Sequence, residues 1–408
     1  MIDISKYNNE LRYRGNNLFL ENVALDNIAK KFKTPTFCYS SSLIANNFNI
    51  FKHSFKKIEP LICYAMKANF NSYIIKILEK LGSGIDVVSK GELKKCLDNG
   101  VSANKIVFSG VGKTDDEIEF ALKNEIKQIN VESLEELKDI EKICKKLRVN
   151  TNVCLRVNPD INAKTHDKIS TGRLEDKFGI PNDQIKYIFQ NYNNNKFINI
   201  IGLSIHIGSQ IESLDPFRNA FKKIKKQVLD LRKSGFQVST IDLGGGIGIK
   251  YNEKSRIVDV EMYTNLIEEL FSDMKLKIII EPGRYIVGSS GIILTRVIRV
   301  KKGKDKNFLI LDAGMNNLLR PALYGAKHSI FPVKLSSKRK VLYDIVGPIC
   351  ESSDVFMKNA KIQELNKDDL VVISSTGAYS SCMASDYNLR PKAQEVFVKE
   401  KKTRVSNS

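Results

Sequence analysis

A regular alternation of β-strands and α-helices constrains the fold of this 408-residue chain more than any other feature. Short runs of apolar or β-branched residues recur, and a segment with helical spacing separates each run from the next. We predict eight strands: Leu61–Lys67, Gly84–Ser89, Lys105–Ser109, Lys127–Val131, Thr151–Val157, Ile200–His206, Ser239–Leu243 and Leu276–Glu281. Eight successive βα units predict an α/β fold, a TIM-type (β/α)8 barrel.

The helical segments carry their own local signals. Thr114 with Glu117 and Ser133 with Glu136 have the spacing of capping boxes, in which two side chains satisfy amides of the first helical turn. A later helix is rich in lysine, and its apolar positions repeat every three or four residues, at Phe221, Ile224, Val228 and Leu231. Such a helix buries one face and exposes its charged face to solvent.

Unusual residues cluster at the carboxyl ends of the predicted strands, where a TIM barrel places its chemistry. Lys67 ends the first strand, His206 ends the sixth and Glu281 ends the eighth. The triplet Gly244-Gly245-Gly246 follows the seventh strand. A glycine triplet is most often a tight turn, but at this place in a barrel it favours a phosphate site, since backbone amides can approach the phosphate closely.

These groups are the parts needed to hold pyridoxal phosphate. Lys67 would form the internal aldimine, because burial lowers the pKa of an amine and a neutral amine condenses with an aldehyde. The glycine loop would bind the phosphate, and His206 could lie against the pyridine ring. Glu281 would pair with the pyridine nitrogen, which strengthens the ring as an electron acceptor. Taken singly, a lysine beside a strand is usually exposed and a histidine there is usually a core residue.

Ten ordered motifs extend the pattern over nearly the whole chain. They are Tyr64-Ala-Met-Lys-Ala-Asn69, Arg156-Val-Asn-Pro-Asp160, Ser170-Thr-Gly172, Lys177-Phe-Gly179, His206-Ile-Gly-Ser-Gln210, Gly244-Gly-Gly246, Glu281-Pro-Gly-Arg284, Arg320-Pro-Ala-Leu-Tyr324, Gly347-Pro-Ile-Cys-Glu-Ser-Ser353 and Gly377-Ala-Tyr379. At these residues the chain resembles the fold-type III pyridoxal-phosphate enzymes with an alanine racemase-like barrel, and within them the diaminopimelate decarboxylases.

The resemblance implies an activity and a set of site residues. The activity is decarboxylation of meso-2,6-diaminopimelate to L-lysine and CO2, the last step of lysine biosynthesis. The implied catalytic residues are Lys67, His206 and Cys350. The implied cofactor-binding residues are Lys67, His206, Ser209, Gly244, Gly245, Gly246, Glu281, Pro282, Gly283, Arg284 and Tyr379. The implied substrate-binding residues are Arg284, Arg320, Tyr324, Glu351 and Tyr379.

These residue types suit a substrate with a carboxylate at each end. A guanidinium group donates two parallel hydrogen bonds to a carboxylate, so Arg284 and Arg320 could hold the end that does not react. The resemblance implies that Cys350 donates a proton and that it comes from the partner subunit together with Glu351, so we expect a homodimer with shared active sites. An isolated cysteine would instead be expected to be buried and inert.

The chain is also expected to have a second domain. After about Gly288 the pattern changes to closely spaced strands, at Gly291–Lys301, Asn307–Asp312 and Lys340–Val346, which predicts an all-β domain. The resemblance implies that the first 35 residues join it, with Thr34-Pro35 marking the crossing. We therefore expect a barrel over residues 36–288 and a β-rich domain from residues 1–35 and 289–408.

Two kinds of alternative share the cofactor. Ornithine, arginine and carboxynorspermidine decarboxylases have the same barrel, but an enzyme for a basic amino acid would favour an acidic pocket where Arg320 supplies a cation. A noncatalytic pyridoxal-phosphate carrier is a small single barrel, so the added β domain and the Cys350-Glu351 block argue against it.

Composition narrows the remaining possibilities. The seven cysteines match no zinc site or secretory framework, the N-terminus lacks an apolar signal stretch, and no run of about 18 apolar residues exists. We therefore expect a cytoplasmic protein with no metal and no membrane partner. The net charge of +19 could favour nucleic acid, but it is dispersed along the chain and no nucleic-acid-binding motif accompanies it.

Overall fold

The computed structural model describes residues 4–161, 171–172, 175–304 and 306–406. Within those ranges, none of the helices has the length and apolar character required to cross a membrane. A small antiparallel sheet of three strands, a separate strand and two helices precede the barrel. In chain order these elements are β1 (Leu11–Arg14), β2 (Asn17–Leu20), β3 (Val23–Ala24), α1 (Leu25–Phe32), β4 (Thr36–Ser40) and α2 (Ser41–Ser54).

Eight parallel strands follow and close into a barrel, as the alternating pattern predicted. They are β5 (Leu61–Ala65), β6 (Gly84–Val87), β7 (Ile106–Phe108), β8 (Gln128–Val131), β9 (Thr151–Arg156), β10 (Ile198–Ser204), β11 (Thr240–Asp242) and β12 (Lys277–Ile280). Closure occurs between β12 and β5, where Ile280 pairs with Ile62. Several strands end earlier than predicted, so Lys67, His206 and Glu281 lie in the loops just beyond their strands.

Helices between and after these strands cover the outside of the barrel. They are α3 (Ser72–Lys80), α4 (Lys90–Asp98), α5 (Asp115–Lys123), α6 (Leu134–Leu147), α7 (Asn182–Tyr192), α8 (Asp215–Lys233), α9 (Val260–Phe271) and the short α10 (Arg284–Val287). The four apolar positions predicted for the lysine-rich helix are all buried in α8. Burial of that face accounts for the position of its lysines on the outer side.

The two predicted capping boxes have different outcomes. Thr114 and Glu117 form the complete reciprocal box at the start of α5. Ser133 accepts a hydrogen bond from the backbone amide of Glu136, but the Glu136 carboxylate accepts from the amide of Glu132 and from the buried Lys113 amine. The second box is therefore only half formed, because a cation from another loop binds its carboxylate.

A β-rich domain forms the rest of the chain. Its elements are β13 (Gly291–Lys302), β14 (Asn307–Leu311), α11 (Arg320–Tyr324), β15 (Ile330–Pro332), β16 (Lys340–Val346), β17 (Val355–Gln363), β18 (Leu370–Ile373), β19 (Gln394–Lys399) and β20 (Lys402–Val405). The long strand β13 pairs with β14, β18 and β4, so the N-terminal segment is part of this sheet. The predicted fold class is confirmed, while the boundaries at residues 35 and 288 stay predictions.

Candidate active site

Lys67 lies at the mouth of the barrel, in a 3-10 turn that continues from β5. Its Nζ atom is 3.0 Å from Oδ2 of Asp86, a fully buried carboxylate on β6. Burial lowers the pKa of Lys67, but the negative charges of Asp86 and Glu281 outweigh it and raise that pKa above its ordinary value. The expectation of a lowered pKa was wrong, because the neighbouring strand supplies a carboxylate beside the amine.

Two further buried acidic residues, Asp242 and Glu281, are bridged by Asn130. Asn130 donates to Oδ2 of Asp242 at 2.9 Å and also approaches Oε1 of Glu281 at 3.4 Å. Burial raises the pKa of Asp242 to about 6. Burial and the carboxylates of Asp242 and Asp86 raise the pKa of Glu281 well above its ordinary value. The carboxyl group of Glu281 therefore holds its proton more tightly than that of an exposed glutamate, while the nearby Lys67 amine acts in the opposite direction.

His206 and the glycine loop after β11 are joined by a hydrogen bond. The backbone amide of Gly245 donates to Nδ1 of His206 at 3.2 Å, so this nitrogen carries no proton. Burial, together with the charges of Lys67 and Arg156, lowers the pKa of His206 well below its ordinary value. A Cβ atom on Gly245 would lie 2.1 Å from the backbone oxygen of Glu281, so only glycine fits between these two loops.

The two predicted arginines share one buried cluster. Arg284 donates to the hydroxyl of Tyr251 at 2.5 Å and to Oγ of Ser209 at 2.9 Å, and its guanidinium lies 4.7 Å from the ring centre of Tyr379. The guanidinium of Arg320 lies 4.4 Å from the ring centre of Tyr251. Neither arginine Nε atom has a hydrogen-bond partner within the described part of the chain. Two buried cations thus converge on the same aromatic ring.

Backbone contacts tie this cluster to the lysine turn. The amide of Tyr379 donates to the carbonyl of Ala68 at 2.7 Å, directly beside Lys67. The amide of Ala65 donates to the carbonyl of Pro282 at 3.2 Å, and a Cβ on Gly283 would lie 3.0 Å from Ala65. The ends of the first and eighth barrel strands are therefore held together, with the β domain packed against them.

Cys350 and Glu351 occupy a different position from the buried cluster. Both are exposed, in contrast to the burial expected for an isolated cysteine. The Cys350 amide donates to Oδ1 of Asn388 at 3.4 Å, and the Tyr387 hydroxyl donates to Oε1 of Glu351 at 2.7 Å. The neighbouring Leu389 is 93% exposed. These residues form a surface patch on the β domain, to which we refer as the Cys350 patch (residues 350–351 and 387–389).

Some residues of this site were not singled out from the sequence. They include Asp86, Asp242 and Tyr251. Asp86 lies in β6 and Asp242 ends β11, so position near a strand end was the available signal for these two. Tyr251 had no such signal, because it follows the glycine loop in a segment without regular periodicity. Of the resemblance motifs, Ser170 lies outside the described residues.

Comparison with known proteins agrees with this geometry. The family model for the pyridoxal binding domain of pyridoxal-dependent decarboxylases matches residues 41–288. A diaminopimelate decarboxylase of Aquifex aeolicus is 40% identical over 395 residues, which cover 97% of this chain and 94% of that protein. The chain belongs to the diaminopimelate decarboxylase family. A Neisseria meningitidis member, of serogroup A, is 43% identical over 93% of both chains. The structure of the Helicobacter pylori enzyme complexed with L-lysine has a TM-score of 0.90 at 42% identity, covering 94% of this chain and 97% of that one.

The cofactor of this family is pyridoxal phosphate, and the residues at the barrel mouth fit it. The described site contains an amine on Lys67 for its aldehyde and a glycine loop too tight for any Cβ. It also contains the buried carboxyl group of Glu281, with a pKa raised by burial and by its acidic neighbours. The buried Nε atoms of Arg284 and Arg320, which have no partner among the described residues, provide donors for anionic groups.

Proposed function

We propose that this enzyme removes one carboxyl group of meso-diaminopimelate and releases L-lysine and CO2, with the residues at the barrel mouth in the roles below. The observation that carries this proposal is the buried pair Arg284 and Arg320, with guanidinium groups 5.8 and 4.4 Å from the ring centre of Tyr251. Two guanidinium groups in one buried cluster suit anionic ligands, and a basic amino acid without a second carboxylate would leave one cation unpaired.

Lys67, His206 and Glu281 would form the cofactor side of the site. When bound, pyridoxal phosphate supplies an electron-accepting ring that allows the bond to a carboxyl group to break. Lys67 would hold the cofactor through its Nζ atom, with Asp86 3.0 Å away to receive a proton from that amine. Neutral His206 would pack against the ring, and Glu281 would pair with the ring nitrogen. Gly244, Gly245, Gly246 and Ser209 would bind the phosphate.

Arg320, with Tyr324, would hold the substrate carboxylate that is retained in the product. Tyr324 supports this role because it lies in the same short helix as Arg320, four residues further along the chain, a spacing at which helical side chains are neighbours. A carboxylate held there fixes one end of the substrate, so that only the other end can reach Lys67. The Helicobacter pylori relative was solved in complex with L-lysine, which retains one carboxylate. L-lysine is also the product that we expect of this chain.

Cys350 and Glu351 would complete the site of a second copy of the chain. Both lie on the exposed Cys350 patch, and the neighbouring Leu389 presents an apolar side chain that is 93% exposed. Burial of such an apolar side chain against another protein surface stabilises the complex that the two surfaces form. In the homodimer, Cys350 would donate the proton that replaces CO2, and Glu351 would contact a substrate amino group.

The test of the reaction is CO2 release by the purified enzyme with added pyridoxal phosphate. Meso-diaminopimelate, ornithine, arginine and carboxynorspermidine are offered separately. Release from diaminopimelate alone, with formation of lysine, is expected. Preference for one of the other substrates would leave the fold and cofactor unchanged but would refute the proposed roles of Arg284, Arg320 and Tyr324.

The shared site has its own test. Lys67→Ala and Glu351→Ala subunits are each expected to be inactive, and mixed dimers are expected to recover part of the activity, because one of their two sites then has both residues. Verified mixed dimers without any recovery would show that each subunit supplies its own Glu351.

A further inference from the structure

His328 is a buried histidine whose two ring nitrogens both have partners. It is 1% exposed, and its Nδ1 lies 2.8 Å from the backbone oxygen of Ser374. Its Nε2 lies 3.0 Å from Nη1 of Arg320. A carbonyl oxygen can only accept a hydrogen bond, so Nδ1 carries the proton. Nε2 is then a lone-pair acceptor for the guanidinium, and the tautomer is determined by these two contacts.

The local fold explains why these groups meet. The helix α11 is followed by its cap residue Gly325, which has a φ of +62° and turns the chain back toward Arg320. The strand β15 then pairs antiparallel with β18, with Ile330 opposite Ile373. This register places Ser374 beside His328 and orients its carbonyl toward the ring.

A second contact restricts the same guanidinium group. Arg320 lies 4.4 Å from the ring centre of Tyr251, and the Tyr251 ring meets the His328 ring edge-on at 4.9 Å and 74°. One aromatic face and one hydrogen bond together determine both the position and the plane of the guanidinium. Burial and the Arg320 charge lower the pKa of His328 to about 3, so protonation does not disturb this contact at working pH.

We propose that His328 is a positioning residue for the substrate, which orients Arg320 so that its remaining N–H groups face the retained carboxylate. The inference rests on the proposed function, in which Arg320 binds that carboxylate. A freely rotating arginine would have to be ordered on binding, whereas one held by His328 and Tyr251 is already oriented. His328 therefore contributes to the affinity for the carboxylate without contacting it.

A matched pair of variants tests this role. In His328→Gln the side-chain oxygen can replace Nε2 as the acceptor for Arg320. In His328→Asn the shorter amide can replace only Nδ1, so Arg320 loses its acceptor. The readouts are inhibition of the holoenzyme by L-lysine, which retains the carboxylate, and by pentane-1,5-diamine, which lacks it, together with kcat and KM for diaminopimelate.

We expect His328→Asn to weaken lysine inhibition and raise KM by about 10-fold or more, since a hydrogen bond to a charged group is lost. Inhibition by the diamine should change by less than about 3-fold, and His328→Gln should stay close to the wild type. Equal lysine affinity in both variants, or parallel loss of lysine and diamine affinity, would overturn the inference. Arg320→Ala distinguishes failure of the role proposed for His328 from failure of the role proposed for Arg320. If Arg320→Ala leaves the affinity for lysine intact, Arg320 does not bind the retained carboxylate.

A measurement on the wild-type protein does not depend on a variant folding without His328. The chain has only four histidines, so ring-15N-labelled histidine gives few NMR signals, and spectra of proteins that lack His53, His166 or His206 assign the signal of His328 by elimination. We expect a neutral ring with the proton on Nδ1 from pH 6 to 9. A charged ring, or a proton on Nε2, would refute the role of His328 as an acceptor for Arg320.

Discussion

Gly245→Ala tests the tight packing between the glycine loop and the eighth strand. The added Cβ would lie 2.1 Å from the backbone oxygen of Glu281, whereas Cβ atoms do not ordinarily come within 3.0 Å of a nonbonded heavy atom. The loop must therefore move by about 1 Å, since both partners are backbone and no side chain can turn aside. That movement strains two hydrogen bonds, from Gly245 to His206 and from the Glu281 amide to the Gly244 carbonyl.

The expected cost follows from these contacts. Overpacking costs about 1–3 kcal/mol and each weakened hydrogen bond about 1 kcal/mol, so the free energy of unfolding should fall by about 3–5 kcal/mol. Urea denaturation measures this, and a titration with pyridoxal phosphate should show a weaker affinity. The control is Gly91→Ala in α4, where the nearest atom is 3.8 Å away and alanine should be neutral or stabilising. A Gly245→Ala protein with wild-type stability and cofactor affinity would refute the packing argument.

Four further predictions concern other parts of the molecule. Lys67→Ala should abolish the absorbance band of the lysine-bound cofactor; an unchanged band would mean that another amine binds it. Cys350→Ala should slow turnover far more than it weakens cofactor binding, and full activity would remove its role as proton donor. Lys113→Met should lower the free energy of unfolding by about 3–5 kcal/mol, because the Glu136 carboxylate loses the amine of Lys113, whose side chain is 0% exposed. Unchanged urea denaturation would show that this ion pair does not contribute to stability. Burial raises the pKa of Glu92 from 4.5 to about 7, so its contribution to stability is lost as pH rises through that window. Between pH 4.5 and 7, urea denaturation should therefore show that the free energy of unfolding of Glu92→Gln rises relative to that of the wild type by about 1 kcal/mol per pH unit. A difference that does not change with pH would contradict the raised pKa of Glu92.

The eight barrel strands could be predicted because their signal is local. Each strand is a short apolar run, and an apolar run requires burial wherever it lies in the chain. The predicted ends of the strands were less accurate, since a barrel strand ends where its pairing with the neighbouring strand stops. Lys67 was assigned to the first strand for this reason, whereas pairing of β5 with β6 stops at Ala65 and Asp86.

The arginine clamp illustrates the opposite case. Arg284 and Arg320 were identified by their motifs, but their common neighbour Tyr251 was not. Tyr251 lies in a segment without regular structure, and it meets the two arginines only because α10 and α11 approach the same loop. No local pattern encodes an approach between elements that are distant in the chain.

The sequence by itself determined the barrel and the added β domain, and it predicted the amine, glycine loop, acid and arginines of the proposed site, because these depend on residue type and short-range spacing. Only the tertiary structure decided the electrostatic state of those groups. The pKa of Lys67 is raised rather than lowered, since Asp86 on the next strand lies 3.0 Å from its amine. Charges interact through space over a few ångströms, and those distances exist only once the strands are assembled.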